Sequence, residues 1–257
     1  ASGCATLENL VVYPHGSAAR RPGTTFVSAV KNSTKKTRLI PFEFSTTQTY
    51  MLEFGDQYIR FYKDNGQILA SANNPYEIST PYLEAELFDL KFAQSADVMY
   101  ICHPNHEAEK LSRTGHTSWS LTDVEFTKGP FLDPNITATT LTPSAAGTGS
   151  RTITASAVTG INGGSGFLTT DVGRQIHFND GYGVITARTN TTVVTVNVTI
   201  AFANANAITN WFLGAFSDST GHPSCVTFFE QRLIFAATLN NPQTVYFSKS
   251  GDYENMD

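Results

Sequence analysis

The sequence predicts an all-β fold in which partial β-propeller-like blades are interrupted by an inserted β-sandwich or small barrel. Three observations carry this. Aromatic residues make up 12% of the 257 residues and charged residues only 15%, while 19 Gly and 11 Pro punctuate the chain; that balance belongs to folded, strand- and turn-rich proteins. Apolar and polar side chains alternate with a period of two through much of the first half, as in strands that bury one face. Residues 89–115 and 224–251 also share one layout of strand, polar turn, strand, Asn/Pro-containing turn, strand and closing Gly. Repeated three- to four-stranded units of this size read as blades. The expected organisation is an N-terminal region with blades (1–130), an inserted Thr-rich β domain (131–215) and a return to the propeller-like body (216–257).

Taken in order, an apolar run at Leu10–Tyr13 precedes a Pro-His-Gly turn, and "TTFVSAV" (24–30) is expected as a second strand. After the polar connection "KNSTKK", strands are expected in "TRLIPFEF", "QTYMLEFG", "QYIRFYK" and "GQILAS". Tyr50, Leu52 and Phe54 alternate against Met51 and Glu53, and Tyr58, Arg60 and Tyr62 against Ile59 and Phe61. "FGDQ" and "KDNGQ" supply hairpin turns, so the product is a small antiparallel meander. In "STPYLEAELFDLKF", Thr80 can cap, Pro81 can start a helix, and Leu83, Leu87 and Leu90 recur at helical spacing, predicting a short helix or helical turn over 81–88. Glu84 and Glu86 then suit the positive end of that helix better than a general acid and base.

Composition breaks after Phe131. From 131 to 215 the only charges are Asp133, Arg151, Asp171, Arg174, Asp180 and Arg188, and Thr, Ala, Gly and Asn dominate. "RTITASAV", "RQIHF", "GVITARTN" and "TTVVTVNVTI" are strand-like and "FNDGYG" is a hairpin turn. "GINGGSG" has the glycines of a phosphate-cradling loop but no following helix or Lys-Ser/Thr, so it reads as an ordinary loop. Trp119 and Trp211 are expected as core anchors at strand ends.

The stretch "VMYICHPNHEAEKLSRTG" (98–115), followed by His116, gathers His and Cys residues that invite a metal or catalytic reading. Alignment of the two repeats argues otherwise: His103 and His106 fall in the turn where the second copy has "TLNNPQ". Cys102 and His103 are strand neighbours pointing to opposite faces, and the set has no standard zinc spacing. They are expected as turn and loop residues, with no catalytic, cofactor-binding or metal residue and no cofactor. No Gly-x-Ser-x-Gly or His-Glu-x-x-His motif occurs elsewhere.

Cys4, Cys102 and Cys225 are odd in number and lack CxxC spacing, which argues against a disulfide framework and fits synthesis in a reducing cytosol. "ASGC" has the form of a lipoprotein cleavage box, but no apolar segment precedes it. No apolar run approaches the roughly 20 residues of a membrane span. The formal charge is −5. Residues 1–50 carry Arg20, Arg21, Lys31, Lys35, Lys36 and Arg38 against Glu8 and Glu43, read as a solvated basic loop, and residues 51–130 are acidic, unlike a nucleic-acid binder. Sequons at Asn32, Asn135, Asn190 and Asn197 follow from the Thr-rich composition. A chain that starts without Met and stops on "GDYENMD" is expected to be part of a longer polypeptide.

"ENLVVYPHGSAARRPGTTFV", "RLIPFEFSTTQTYMLEFGDQYIRFY", "FAQSADVMYICHPNHEAEKLSRTGHTSWSL" and "VTFFEQRLIFAATLNNPQTVYFSKSGDYENM" together carry a resemblance over most of 7–130 and 211–257. The chain resembles the nozzle-type (tail tubular protein B-like) tail proteins of short-tailed phages and prophages. That resemblance implies a non-enzymatic virion tail component, made in the bacterial host cytoplasm, with a propeller-like body and inserted β domains. It further implies self-assembly into a ring, contact with an adaptor ring and with tail fibre or spike proteins, and passage of DNA without specific binding. The competing expectation is a glycan-recognising or depolymerising tail module, motivated by Trp119, Trp211 and the tyrosines. The carboxyls available in the Thr-rich region for such hydrolysis are Asp133, Asp171 and Asp180.

Overall fold

The computed structural model describes residues 6–45 and 47–256. Cys4 and the "ASGC" stretch lie outside the described residues. About half of the chain is strand. A short ribbon of β1 (Leu10–Val12) and β2 (Ala18–Arg20) comes first. The strand expected at 24–30 is absent: this segment is irregular, and Phe26 is 81% exposed. Its β-branched residues have strand propensity, but its contact with the first sheet is through side chains, the Ser28 hydroxyl bonding that of Tyr62 at 3.0 Å.

The first sheet is the expected meander: β3 (Arg38–Ser45), β4 (Gln48–Gly55), β5 (Tyr58–Lys63) and β6 (Gly66–Gln67) are antiparallel in sequence order. A ribbon of β7 (Leu69–Ser71) and β8 (Asn74–Pro75) follows, and β9 (Glu77–Ser79) returns to pair with β5. Asp64 and Asn65 both take positive φ in the β5–β6 turn, the conformation a two-residue hairpin asks for and one that Asn and Asp tolerate. The short helix or helical turn expected over 81–88 is a single 3-10 turn at Glu84–Glu86. Thr80 is no cap, since its hydroxyl is buried without a partner, and the Glu86 carboxylate instead accepts the Leu83 N–H at 2.9 Å. Leu87 and Leu90 are fully buried, drawn into the core rather than along a helix face.

The second sheet has four antiparallel strands, β10 (Lys91–Ser95), β11 (Val98–His103), β12 (His106–Gly115) and β13 (Ser118–Asp123). Its two faces bury different partners. Met99, Ile101, Leu111 and Trp119 join Phe42, Leu52, Phe54 and Phe61 of the first sheet in one core. Tyr100, Cys102 and Ala108 join Leu233 and Phe235 in another. This second partner is the three-stranded sheet β20 (Cys225–Phe229), β21 (Arg232–Ala236) and β22 (Val245–Phe247). The two stretches paired by their sequence layout are therefore face-packed sheets, and the first, second and last sheets form a series.

Between them lies a six-stranded antiparallel sheet with its own core, ordered β14 (Leu141–Pro143), β15 (Gly147–Ala155), β18 (Val193–Phe202), β17 (Gly181–Asn190), β16 (Gln175–Phe178) and β19 (Trp211–Leu213). It curls into a half-barrel. Leu141 on one edge exchanges both backbone hydrogen bonds with Ile208, just ahead of β19 on the other, at 2.9 and 3.0 Å. Gly183 permits the tight apposition of β17 on β18, because a Cβ there would meet Asn197 O at 2.5 Å. Chain entry and exit adjoin: Phe131 bridges Gly214, and the Ala215 N–H donates to Pro130 O at 2.8 Å.

Three of the four sequons have a local use. In Asn32-x-Thr34, Asn135-x-Thr137 and Asn190-x-Thr192 the Asn Oδ1 accepts both the N–H and the hydroxyl of the Thr two residues on. Such side-chain turns replace a backbone turn. The basic stretch is not simply solvated, because Lys31 pairs with Glu77 and Lys35 with Asp56. Arg38 donates to the carbonyls of Leu87 and Leu90.

Candidate functional site

The histidines that flank the β11–β12 turn lie at a convergence with a third element. His103 ends β11 and His106 begins β12, as a cross-strand pair across the turn residues Pro104 and Asn105. A bulge between Ile101 and His103 re-aims the strand end, a frequent device beside functional groups. His103 and His106 share the sheet face of Ile101, opposite that of Cys102. That face meets the segment from Thr80 to Leu90. Its 3-10 turn places the Glu86 carboxylate 3.0 Å from His106 Nε2, and the donor atoms of Glu86, His103 and His106 all lie within 4.8 Å of one another.

His103 is 2% exposed, and its Nδ1 accepts the Asn105 N–H at 3.2 Å. In the neutral ring the proton therefore sits on Nε2. Burial pushes its pKa down against the opposing pull of Glu86. At Glu86, desolvation works upward, but the Leu83 N–H and His106 together hold the carboxyl below the usual range. The Tyr82 ring stands edge-on to His106 at 5.3 Å. Behind it, the Tyr82 hydroxyl and Glu109 Oε2 face each other in the core, yet neither makes a well-formed hydrogen bond. Burial raises Glu109 to about 7, with Tyr82 opposing and Asp123 adding to the shift.

The other residues of the histidine-rich stretch are placed elsewhere. Cys102 is buried against the last sheet, and desolvation raises its thiol well above the ordinary value. His116 packs with Tyr50, whose hydroxyl lies 2.6 Å from its Nδ1 and also accepts from Arg113. Sequence spacing missed Glu86, which lies 20 positions before His106 in a different element. The one available signal, an acid in a capped turn, points to local structure and not to a partner.

Of the features behind the glycan expectation, the two tryptophans and Asp171 are used internally, while Asp133 and Asp180 are exposed. Trp119 stacks on Phe61 at 4.5 Å, and Trp211 donates its Nε1–H to Thr139 O at 2.9 Å; both are buried. Asp171 is fully buried against Arg174. Asp180 occupies the β16–β17 turn at positive φ. A hollow of about 530 Å³ separates the half-barrel from the sheet series, but Tyr182 and Gln175 on its wall both donate to Phe126 O and tie the two together. Among the described residues, no helix is long and apolar enough to cross a membrane. No known protein family matches the chain, and no curated protein matches it.

Proposed function

We propose that this protein is a structural component of a phage tail nozzle, a wall segment of the genome-ejection conduit that works by self-assembly and by contact with an adaptor ring. One observation carries the reading: the sheets pack face to face in series, and both ends of the series expose apolar side chains. At one end Leu39, Pro41 and Met51 are exposed on the outer side of the first sheet, beside Glu53 with its Tyr58 and Tyr62 partners and a hollow of about 680 Å³. At the other, Phe229, Val245 and Phe247 are about half exposed on the last sheet. An apolar sheet face invites another layer, so the sheets are proposed as propeller blades that continue the series against further sheets.

The likeness of the aromatic, Gly and Pro patterns to nozzle-type tail proteins supports the same reading. So does the charge of −5 with only 17 Lys and Arg, since a wall that holds few phosphates lets DNA slide past. The location is the virion tail, with tail fibre or spike proteins as further neighbours. The decisive experiment is deletion of the reading frame from its phage. DNA-filled particles lacking a completed tail are expected, and normal infectious particles would overturn the proposal.

A further inference from the structure

We propose that Glu86, His103 and His106 form a binding site for a first-row divalent transition ion, zinc foremost, that clips the 81–90 connection to the tip of the β11–β12 hairpin. Two imidazoles and one carboxylate are the donor set such ions prefer over calcium or magnesium. In a tetrahedral zinc site the donors stand about 3.3 Å apart. The Glu86–His106 pair already meets this at 3.0 Å, and the full set spans 4.8 Å. The longer separations are those to His103, so closing the set takes side-chain rotation at the hairpin tip or on the 3-10 turn that carries Glu86.

The surroundings agree. His103 is buried, whereas the Glu86 and His106 side chains are 17% and 23% exposed, so an ion has an approach from solvent and a dry back wall. Asp89 adds negative potential at His103. Three protein donors leave the fourth position to water. His103 binds either through Nδ1, exchanging the Asn105 N–H bond for the ion, or through Nε2, releasing its proton to solvent.

The test uses the whole chain, stripped with chelator and titrated with zinc and with cobalt(II). One equivalent is expected to bind, with the visible bands of four-coordinate cobalt and a melting temperature that rises with zinc concentration. Glu86→Gln and His106→Gln each weaken binding at least tenfold, and His15→Gln, at an exposed site far along the sequence, leaves it unchanged. A wild-type chain that shows only the hexa-aqua cobalt spectrum and no thermal shift overturns the proposal. So does undiminished binding in the two site variants. If a variant fails to fold, X-ray absorption on the zinc-loaded wild type decides between a four-coordinate site with two imidazoles and any other. Tail assembly does not enter these readouts, so the site and the proposed function stand or fall separately.

Discussion

Glu109 sits on the sheet face where Tyr82 and His106 crowd it, with Asp123 and Glu107 as further charged neighbours. Its raised acidity constant makes a signed prediction. Below the unfolded carboxyl value of about 4.3 both states hold the proton and nothing is lost. As pH rises toward about 7 the native state keeps a proton that the unfolded chain has released, so stability falls through that window and stays low above it. The full loss is on the order of 3 kcal/mol. Glu109→Gln should therefore be more stable than the parent near pH 8 and gain little near pH 4, read from urea midpoints across pH. Substitution at the Asp171–Arg174 pair is costly instead, because both groups are satisfied. Asp171 accepts from Asn162 and the Leu168 N–H, and Arg174 donates to Gly214 O and Asn162. Asp171→Asn leaves a buried guanidinium without its counter-charge and should cost about 3–5 kcal/mol. Denaturant titration checks this.

The Asn-x-Thr turns show how single elements are built. Asn135 accepts from Thr137, and its side-chain amide lies within 3.1 Å of the carbonyls of Thr137, Thr139 and Thr209, linking the entry segment to the strand before exit. Asn135→Ala should lower stability by about 2 kcal/mol, seen as a lower melting temperature without loss of strand signal. At this scale much was legible. The hairpin turns at Asp64–Asn65 and Asn179–Asp180 follow from chemistry that tolerates positive φ, and the β3–β6 alternation follows from one buried face. What failed had a tertiary cause. Residues 24–30 have strand composition yet are irregular, with the Ser28 hydroxyl bonded to Tyr62, and the helical turn within 81–88 stays at one turn because Leu87 and Leu90 are drawn into the core. The Glu86–His106 approach was illegible for the same reason, since local spacing cannot report what two packed elements bring together.

Across the whole molecule, the sheet series has two unequal ends. If the half-exposed Phe229 and Phe247 mediate contact between sheets of neighbouring chains, the double variant Phe229→Ser, Phe247→Ser should shift the chain toward monomer in sedimentation velocity, with no change in melting temperature beyond what exposed sites allow. The all-β class could be read from composition, because aromatic and β-branched residues set between Gly and Pro turns mark strands. The face-to-face order of the sheets could not, since it depends on which side of each strand meets which neighbour. The paired crossing at Phe131 and Gly214 carries a further consequence. Because the two crossings are already hydrogen-bonded neighbours, replacing 132–213 by a short glycine turn closes a small loop at little entropic cost, and circular dichroism should still report a folded remainder. A cassette whose two crossings lie side by side can be exchanged for another of unrelated sequence, leaving evolution free to revise the ornament without recasting the frame.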